Sequence, residues 1–523
     1  MRHFIPLVTV LVLAICLALV SACTEGTGIY AGYHVAHEAL HPGANRNRFP
    51  EAEPNPIRLA AEQPVSTFSI DVDTVSYAYA RRSLNTGVLP EREAVRVEEM
   101  INYFSYAYPT PKRTDPPFRP TVAIYPTPWN RDTKLMHIGI KGYDIETTEK
   151  PRANLVFLID ASGSMSSDDR LPLLKRAFRL LLDTLGADDT VSIVAYAGGA
   201  GIVLEPTKAS RKRTILRALG RLHAGGATAG AAGLREAYAL AGQAFVKDGV
   251  NRVILATDGD FNIGISDPDA LKRFIVEKRK SGIFLSVLGF GYGNLNDAVM
   301  QVLAQNGNGV AAYIDTLREA QKVLVDEASS TLFPIARDVK IQVEFNPATV
   351  AEYRLIGYET RALKREDFNN DKVDAGDIGS GHTVTAIYEI TPVGAAGKVI
   401  DDLRYGLDGR KPAAGGNGEY AHLKLRYKLP NAKKSRRIAL AITKAHEKAG
   451  IRQVSGEMRF AASVAAFGQK LRGEIHVDDM SYDAIRKLAR SGRGADPHGR
   501  RSDFLSLVGL ARSMSPRSLA AWN

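Results

Sequence analysis

Asn154-Leu155-Val156-Phe157-Leu158-Ile159-Asp160-Ala161-Ser162-Gly163-Ser164 is the stretch on which the fold of this chain turns. Residues Leu155–Ile159 are continuously apolar and bounded by polar residues. A strand that reads this way is buried on both faces, as in a parallel sheet. Asp160 stands where such a strand leaves the sheet. Ser162 and Ser164 follow at a spacing that lets both hydroxyls turn toward one point, with Gly163 free to bend between them.

The pattern continues downstream. Helical periodicity over Leu171–Leu185, Ala229–Phe245, Pro268–Arg279, Asn296–Gln305 and Leu317–Ser330 alternates with strand-like runs. These runs are Thr190–Tyr196, Asn251–Ala256, Ile283–Gly289 and Val310–Ile314. Regular alternation predicts a doubly wound, mostly parallel α/β sheet with right-handed crossovers. In such sheets ligands bind beyond the carboxyl ends of the strands. Thr228, in Gly225-Gly226-Ala227-Thr228, and Asp258, after the strand Asn251–Ala256, are expected at the same edge as Asp160.

Asp160, Ser162, Ser164, Thr228 and Asp258 supply hard oxygens, with no Cys or His pattern beside them. That donor set suits Mg²⁺, with Ca²⁺ and Mn²⁺ as alternatives, and argues against Zn²⁺. With few protein charges around it, such an ion stays electrophilic and takes an outside oxygen, typically a partner's carboxylate. The alternative is that these residues are helix caps and turn formers. Asp260 and Asn262 lie close enough in sequence to act as outer groups.

The five positions match the metal-ion-dependent adhesion site of von Willebrand factor A domains, and the resemblance spans about residues 152–332. In that family the two serines coordinate directly, while the threonine or an aspartate joins according to ligand state. Phe68-Ser69-Ile70-Asp71-Val72-Asp73-Thr74, Arg96-Val97-Glu98-Glu99-Met100-Ile101-Asn102-Tyr103-Phe104, Phe460-Ala461-Ala462-Ser463-Val464-Ala465 and Ser502-Asp503-Phe504 resemble YfbK-like bacterial lipoproteins. That resemblance covers nearly all of the mature chain and implies architecture more than activity.

The flanks divide the chain further. Residues 1–22 read as a lipoprotein signal peptide: a basic start at Arg2 and His3, an apolar run over Phe4–Val20, then Val20-Ser21-Ala22-Cys23. Cys23 is the expected lipid acceptor; an uncleaved anchor, or secretion with Cys23 as a free thiol, are the alternatives. Thr24, not Asp, follows it, which by resemblance to Gram-negative lipoproteins favours the outer membrane. Cys16 leaves with the signal, so the mature chain has no thiol pair to staple it. Residues 23–65 read as a flexible tether. Residues 66–151 read as an α+β segment, with a strand at Phe68–Val72, helices at Tyr77–Leu84 and Arg96–Phe104, and strands near Thr121–Tyr125 and Met136–Lys141. Residues 152–332 are expected to form the A domain that the resemblance implies. Residues 333–450 read as β-rich, with strands at Val339–Phe345, Ala351–Ile356, Thr383–Ile390 and His422–Tyr427. Residues 451–523 read as helical, with helices at Glu457–Leu471, Tyr482–Ala489 and Asp503–Arg512. The segments flanking the A domain are expected to pack together as a base.

Length and composition agree with a multidomain globular chain: 523 residues, 45% hydrophobic and 24% charged. The net charge is +11, and basic clusters lie at Arg211-Lys212-Arg213, Lys433-Lys434-Ser435-Arg436-Arg437 and Arg500-Arg501. Such clusters suit a solvated surface, anionic lipid or an acidic partner. Secretion argues against nucleic acid.

Other motifs are weak. Asp367-Phe368-Asn369-Asn370-Asp371-Lys372 starts like a calcium loop, but Lys372 and Ile378 fall where an EF-hand needs Gly and a carboxylate, so a polar turn is expected. Asp71 and Asp73 flank a strand and are expected to face solvent or cap neighbouring backbone, with metal binding as the alternative. Ser162 is not in a Gly-x-Ser-x-Gly elbow, and Gly289-Phe290-Gly291-Tyr292-Gly293 lacks dinucleotide-binding spacing. The expectation is therefore a non-enzymatic, lipid-anchored envelope protein. It faces the periplasm or exterior from the cell membrane or outer membrane, and binds a protein partner's carboxylate. A structural scaffold, or a metal-dependent hydrolase, are the alternatives. Oligomeric state is not encoded in any recognised pattern.

Overall fold

The structure is a computed structural model that describes residues 46–112, 116–146, 150–226, 230–259, 268–401, 418–430 and 432–515. The expected signal peptide, Cys23, Thr228, Asp260 and Asn262 lie outside the described residues. All described residues belong to one unit, Arg46–Asn523.

The central sheet forms as its sequence dictates. It contains β5 (Ala153–Asp160), β6 (Thr190–Tyr196), β7 (Ala200–Lys208), β8 (Val250–Thr257), β9 (Phe284–Phe290) and β10 (Ala311–Ile314), in spatial order β10-β9-β8-β5-β6-β7. All neighbours pair in parallel except β7, which runs antiparallel to β6 at one edge. Every residue of β5 is buried. Leu155, Phe157 and Ile159 join the core under the helices Leu171–Leu182 and Lys212–Gly220, while Val156 and Leu158 join the core under Gly230–Gln243 and Asp297–Asn306. The period-two alternation of a strand thus meets an apolar layer on each side. The sequence reading lacks β7 and the helix Lys212–Gly220. Strand β7 is short of buried positions, so it offers no apolar periodicity to detect. The expected helix Leu317–Ser330 is interrupted by one π turn, Lys322–Asp326.

Two antiparallel sheets pack against each other to make the base. One has the order β1 (Arg58–Leu59), β12 (Val350–Ile356), β14 (Thr383–Pro392), β4 (Lys134–Gly142), β3 (Phe118–Pro126). The other has the order β13 (Gly376–Gly379), β11 (Pro334–Phe345), β15 (Glu419–Lys428), β16 (Arg436–Thr443), with β2 (Val65–Ser69) also paired to β11. Their inward side chains, among them Ile138, Tyr388, Ile341 and Leu425, share one core. Segments before and after the A domain are interleaved here: β2 pairs β11 and β4 pairs β14. The A domain is therefore an insertion between β4 and β11, as the packing of a common base requires.

The terminal helices Gly456–Arg472, Tyr482–Gly492 and Arg500–Met514 share a core with the helices Val75–Asn85 and Val97–Asn102. Phe104 meets Phe460 edge to face at 4.9 Å. The helix Val75–Asn85 joins two cores: Tyr77, Ala80 and Leu84 enter this one, while Val75, Ala78 and Tyr79 pack on the A-domain sheet. The segment read as a tether is held from Arg46 onward. Its backbone N–H donates to Gly293 O at 2.8 Å, and Arg48 bridges to Asn296. That departure has a physical source, since Phe49 stacks edge-on against Tyr79 and joins the A-domain core.

Candidate metal centre

Strand order reverses direction at β5: the next strand, β6, lies on one side and β8 on the other. A crevice opens at such a switch point beyond the carboxyl ends, and Asp160 is the last residue of β5. Its carboxylate is buried and held from three directions. Oδ1 accepts from the Ser162 N–H at 2.9 Å; Oδ2 accepts from the Tyr196 hydroxyl at 3.2 Å and the Thr257 hydroxyl at 3.4 Å. Burial pushes the Asp160 carboxyl above its ordinary range and the charge of Asp258 adds to this, while the bonds from Ser162 and Tyr196 pull it back. An adjacent cation opposes the upward push directly.

The loop after β5 is pinned to its neighbours by backbone. Gly163 N–H donates to Gly226 O at 3.1 Å, and Gly225 N–H to Ala161 O at 2.8 Å. The loop expected to carry Thr228 thus reaches the site at Gly225 and Gly226. Ser162 and Ser164 place their Oγ atoms 3.0 Å apart, in hydrogen-bond contact with each other. Asp258 is buried on the far side, immediately after β8. The chain turns sharply there through Gly259, whose φ is +98°; a Cβ at that position would lie 2.3 Å from Asn294 O. Of the five expected ligands, the structure brings Asp160, Ser162, Ser164 and Asp258 to one edge.

These residues fit a small divalent cation. An octahedral ion with bonds of about 2.1 Å has adjacent ligands roughly 3.0 Å apart, which is the spacing of the two serine oxygens. All donors are hard oxygens. When bound, the cation would supply a Lewis-acidic position for an external oxygen; Asp160 and Asp258 would balance its charge, and the two serines would help to hold it.

Sequence reasoning missed Arg170. Its Nη1 donates to Ser164 O at 2.5 Å and to Asp258 Oδ2 at 2.7 Å, and its Nη2 to Tyr292 O at 3.0 Å. One clue was present: Arg170 directly precedes the helix Leu171–Leu182, which has no acidic residue in its first turn. A cation at a helix N-terminus opposes the helix dipole, so it needs a partner elsewhere.

The other acidic cluster is Asp71, Asp73 and Glu99. The expectation of solvent exposure for Asp71 and Asp73 is corrected, because both are buried. Arg361 pairs with Asp71 at 2.8 Å and with Asp73 at 2.6 Å, and Arg96 pairs with Glu99 at 2.5 Å. Backbone capping does occur: Asp71 accepts from Asp73 N–H, and Asp73 from Ala311 N–H. Guanidinium groups therefore balance the charge of this cluster. Likewise the Asp367–Lys372 turn turns its carbonyls to an ammonium, with Lys340 Nζ donating to Asp367 O at 3.0 Å and Asn370 O at 2.6 Å.

A doubly wound sheet with this oxygen set at its switch point defines a von Willebrand factor A-domain protein, and residues 155–260 match the family described as von Willebrand factor type A domain. Residues 43–137 match von Willebrand factor, and residues 330–514 match the family described as Uncharacterized protein YfbK, C-terminal. The chain is 45% identical over 482 residues to Uncharacterized protein YfbK of Escherichia coli (strain K12), covering 91% of this chain and 82% of that one. It belongs to the YfbK family. It is also 41% identical over 128 residues to the Magnesium-chelatase 60 kDa subunit of Cereibacter sphaeroides, covering 23% of this chain and 22% of that one. Among solved structures, a von Willebrand factor type A protein from Catenulispora acidiphila superposes with a TM-score of 0.42 at 16% identity, covering 74% of this chain and 89% of that one. Domains of this class typically hold a divalent metal at the adhesion-site motif.

Proposed function

We propose that this chain is a lipid-anchored envelope protein that binds a protein partner through a Mg²⁺-dependent adhesion site, without catalysing a reaction. The observation that carries the reading is the 3.0 Å spacing of the Ser162 and Ser164 hydroxyls beside the buried Asp160. Asp160 and Asp258 carry two negative charges against the two of the cation, and Arg170 adds a positive one. The site as a whole stays net positive and favours an incoming carboxylate. Cys23, behind a basic start and an apolar run, supplies the anchor. Among the described residues no helix is long and apolar enough to cross a membrane.

Affinity capture from detergent-solubilised envelope tests the binding reading. Wild type should retain a partner in Mg²⁺ and release it in EDTA, while Asp160→Ala, folded by circular dichroism, retains none. Equal retention by Asp160→Ala with Mg²⁺ present would sink the proposal. Loss of thermal stability on metal removal, with no metal-dependent partner, would favour the scaffold reading instead.

A further inference from the structure

The guanidinium of Arg170 is built into the metal centre. Its Nη1 shares Asp258 Oδ2 at 2.7 Å and also holds Ser164 O at 2.5 Å, so it links the second serine to the second carboxylate. The Arg170 side chain is 12% exposed and that of Asp258 is fully buried. Arg170 Nε is buried without a hydrogen-bond partner, so the group is held by contacts at its tip. The surroundings make room for it: Gly291 has φ of +76°, and a Cβ there would lie 2.2 Å from Arg170 Nε. The base braces it from outside. Arg82 pairs with Asp169 at 2.7 Å and lies 5.3 Å over the ring of Tyr292, whose carbonyl takes the Arg170 Nη2 bond at 3.0 Å.

A fixed positive charge beside a cation site has one electrostatic consequence. It repels the cation and competes with it for the shared carboxylate oxygen. Building on the metal-site reading above, we infer that Arg170 is the residue that sets metal affinity, holding it down by competing with the cation for Asp258. The same charge attracts a partner's carboxylate.

Calorimetric titration of the full mature chain with Mg²⁺, and with Mn²⁺ as a second probe, tests this in four proteins: wild type, Arg170→Gln, Arg170→Lys and Ser162→Ala/Ser164→Ala. Melting of each metal-free protein confirms that it is folded. Arg170→Gln should bind Mg²⁺ at least about tenfold more tightly than wild type, since a neighbouring charge is removed. Arg170→Lys keeps the charge and should stay within about threefold of wild type. Binding by Arg170→Gln that is equal to or weaker than that of wild type would overturn the inference and leave the metal site standing. Tightening by Arg170→Lys equal to that of Arg170→Gln would overturn it too, because charge would not be the cause. Unchanged binding in Ser162→Ala/Ser164→Ala would overturn the metal-site reading, and this inference with it.

Discussion

Arg96 Nη1 lies 2.6 Å from Asp297 Oδ2, with both side chains buried. Arg96 belongs to the base; Asp297 opens a helix of the inserted A domain. Arg96 also binds Glu99, which accepts from Gln301 at 3.1 Å, and Tyr103 of the base donates to Glu319 at 2.7 Å. The insertion is thus bolted to its base by buried charges.

Removing Asp297 leaves the buried Arg96 with Glu99 alone as its carboxylate partner. Asp297→Ala should lower stability by about 3–5 kcal/mol, read as a fall in the midpoint of urea unfolding. A change within about 0.5 kcal/mol, the range of surface substitutions, would show that the ion pair does not hold the two parts together.

The terminal helices form a second core with the helices Val75–Asn85 and Val97–Asn102. Phe460 is fully buried against Phe104 and Phe504, so Phe460→Ala should cost about 3–5 kcal/mol. A chain truncated after residue 450 strips Tyr103, Phe104 and Met100 of their cover and should be recovered aggregated. Recovery of a soluble truncated chain with a cooperative melt would contradict the shared core.

Glu98 gives a pH signature. It is fully buried, and burial, followed by the charges of Glu359, Asp71 and Glu99, pushes its carboxyl from 4.5 up to about 8. An acid whose folded value is raised holds its proton in the folded chain while the unfolded chain loses it. Its contribution is therefore intact below pH 4.5 and is lost as pH rises toward 8. Across that window Glu98→Gln should gain on wild type by up to about 1.4 kcal/mol per pH unit. Unfolding midpoints of the pair at a series of pH values check it; a constant difference would mean that Glu98 is ionised throughout.

Gly259 shapes the turn that presents Asp258. Gly259→Ala forces a side chain onto the Asn294 carbonyl at a positive φ. It should cost about 1–3 kcal/mol and weaken Mg²⁺ binding together with stability, measured by melting and calorimetry on one sample. Unaltered metal affinity would show that Asp258 is placed independently of this turn.

Much of this architecture is legible from local pattern alone. The apolar run Leu155–Ile159 of β5 and the regular alternation after it specify a buried parallel sheet, because each residue type reports its own burial. Asp160, Ser162, Ser164 and Asp258 were legible because strand ends locate the crevice without any knowledge of distant contacts. What escaped depends on long-range packing. Strand β16 is only partly buried, with Ile442 its one fully buried residue, so it shows little apolar periodicity. The pinned stretch from Arg46 carries no periodicity, yet Phe49 finds Tyr79. Asp71 and Asp73 look like surface charges until Arg361, nearly three hundred residues away, arrives beside them. Arg170 needed the folded chain to show its partner.

The central claim is a cation held by Ser162 and Ser164 beside Asp160, and titration of the purified mature chain with Mg²⁺ by calorimetry tests it most directly. The account predicts a saturable single-site binding heat in wild type and none in Ser162→Ala/Ser164→Ala of equal thermal stability. The same heat in both proteins, or none in either, would contradict it.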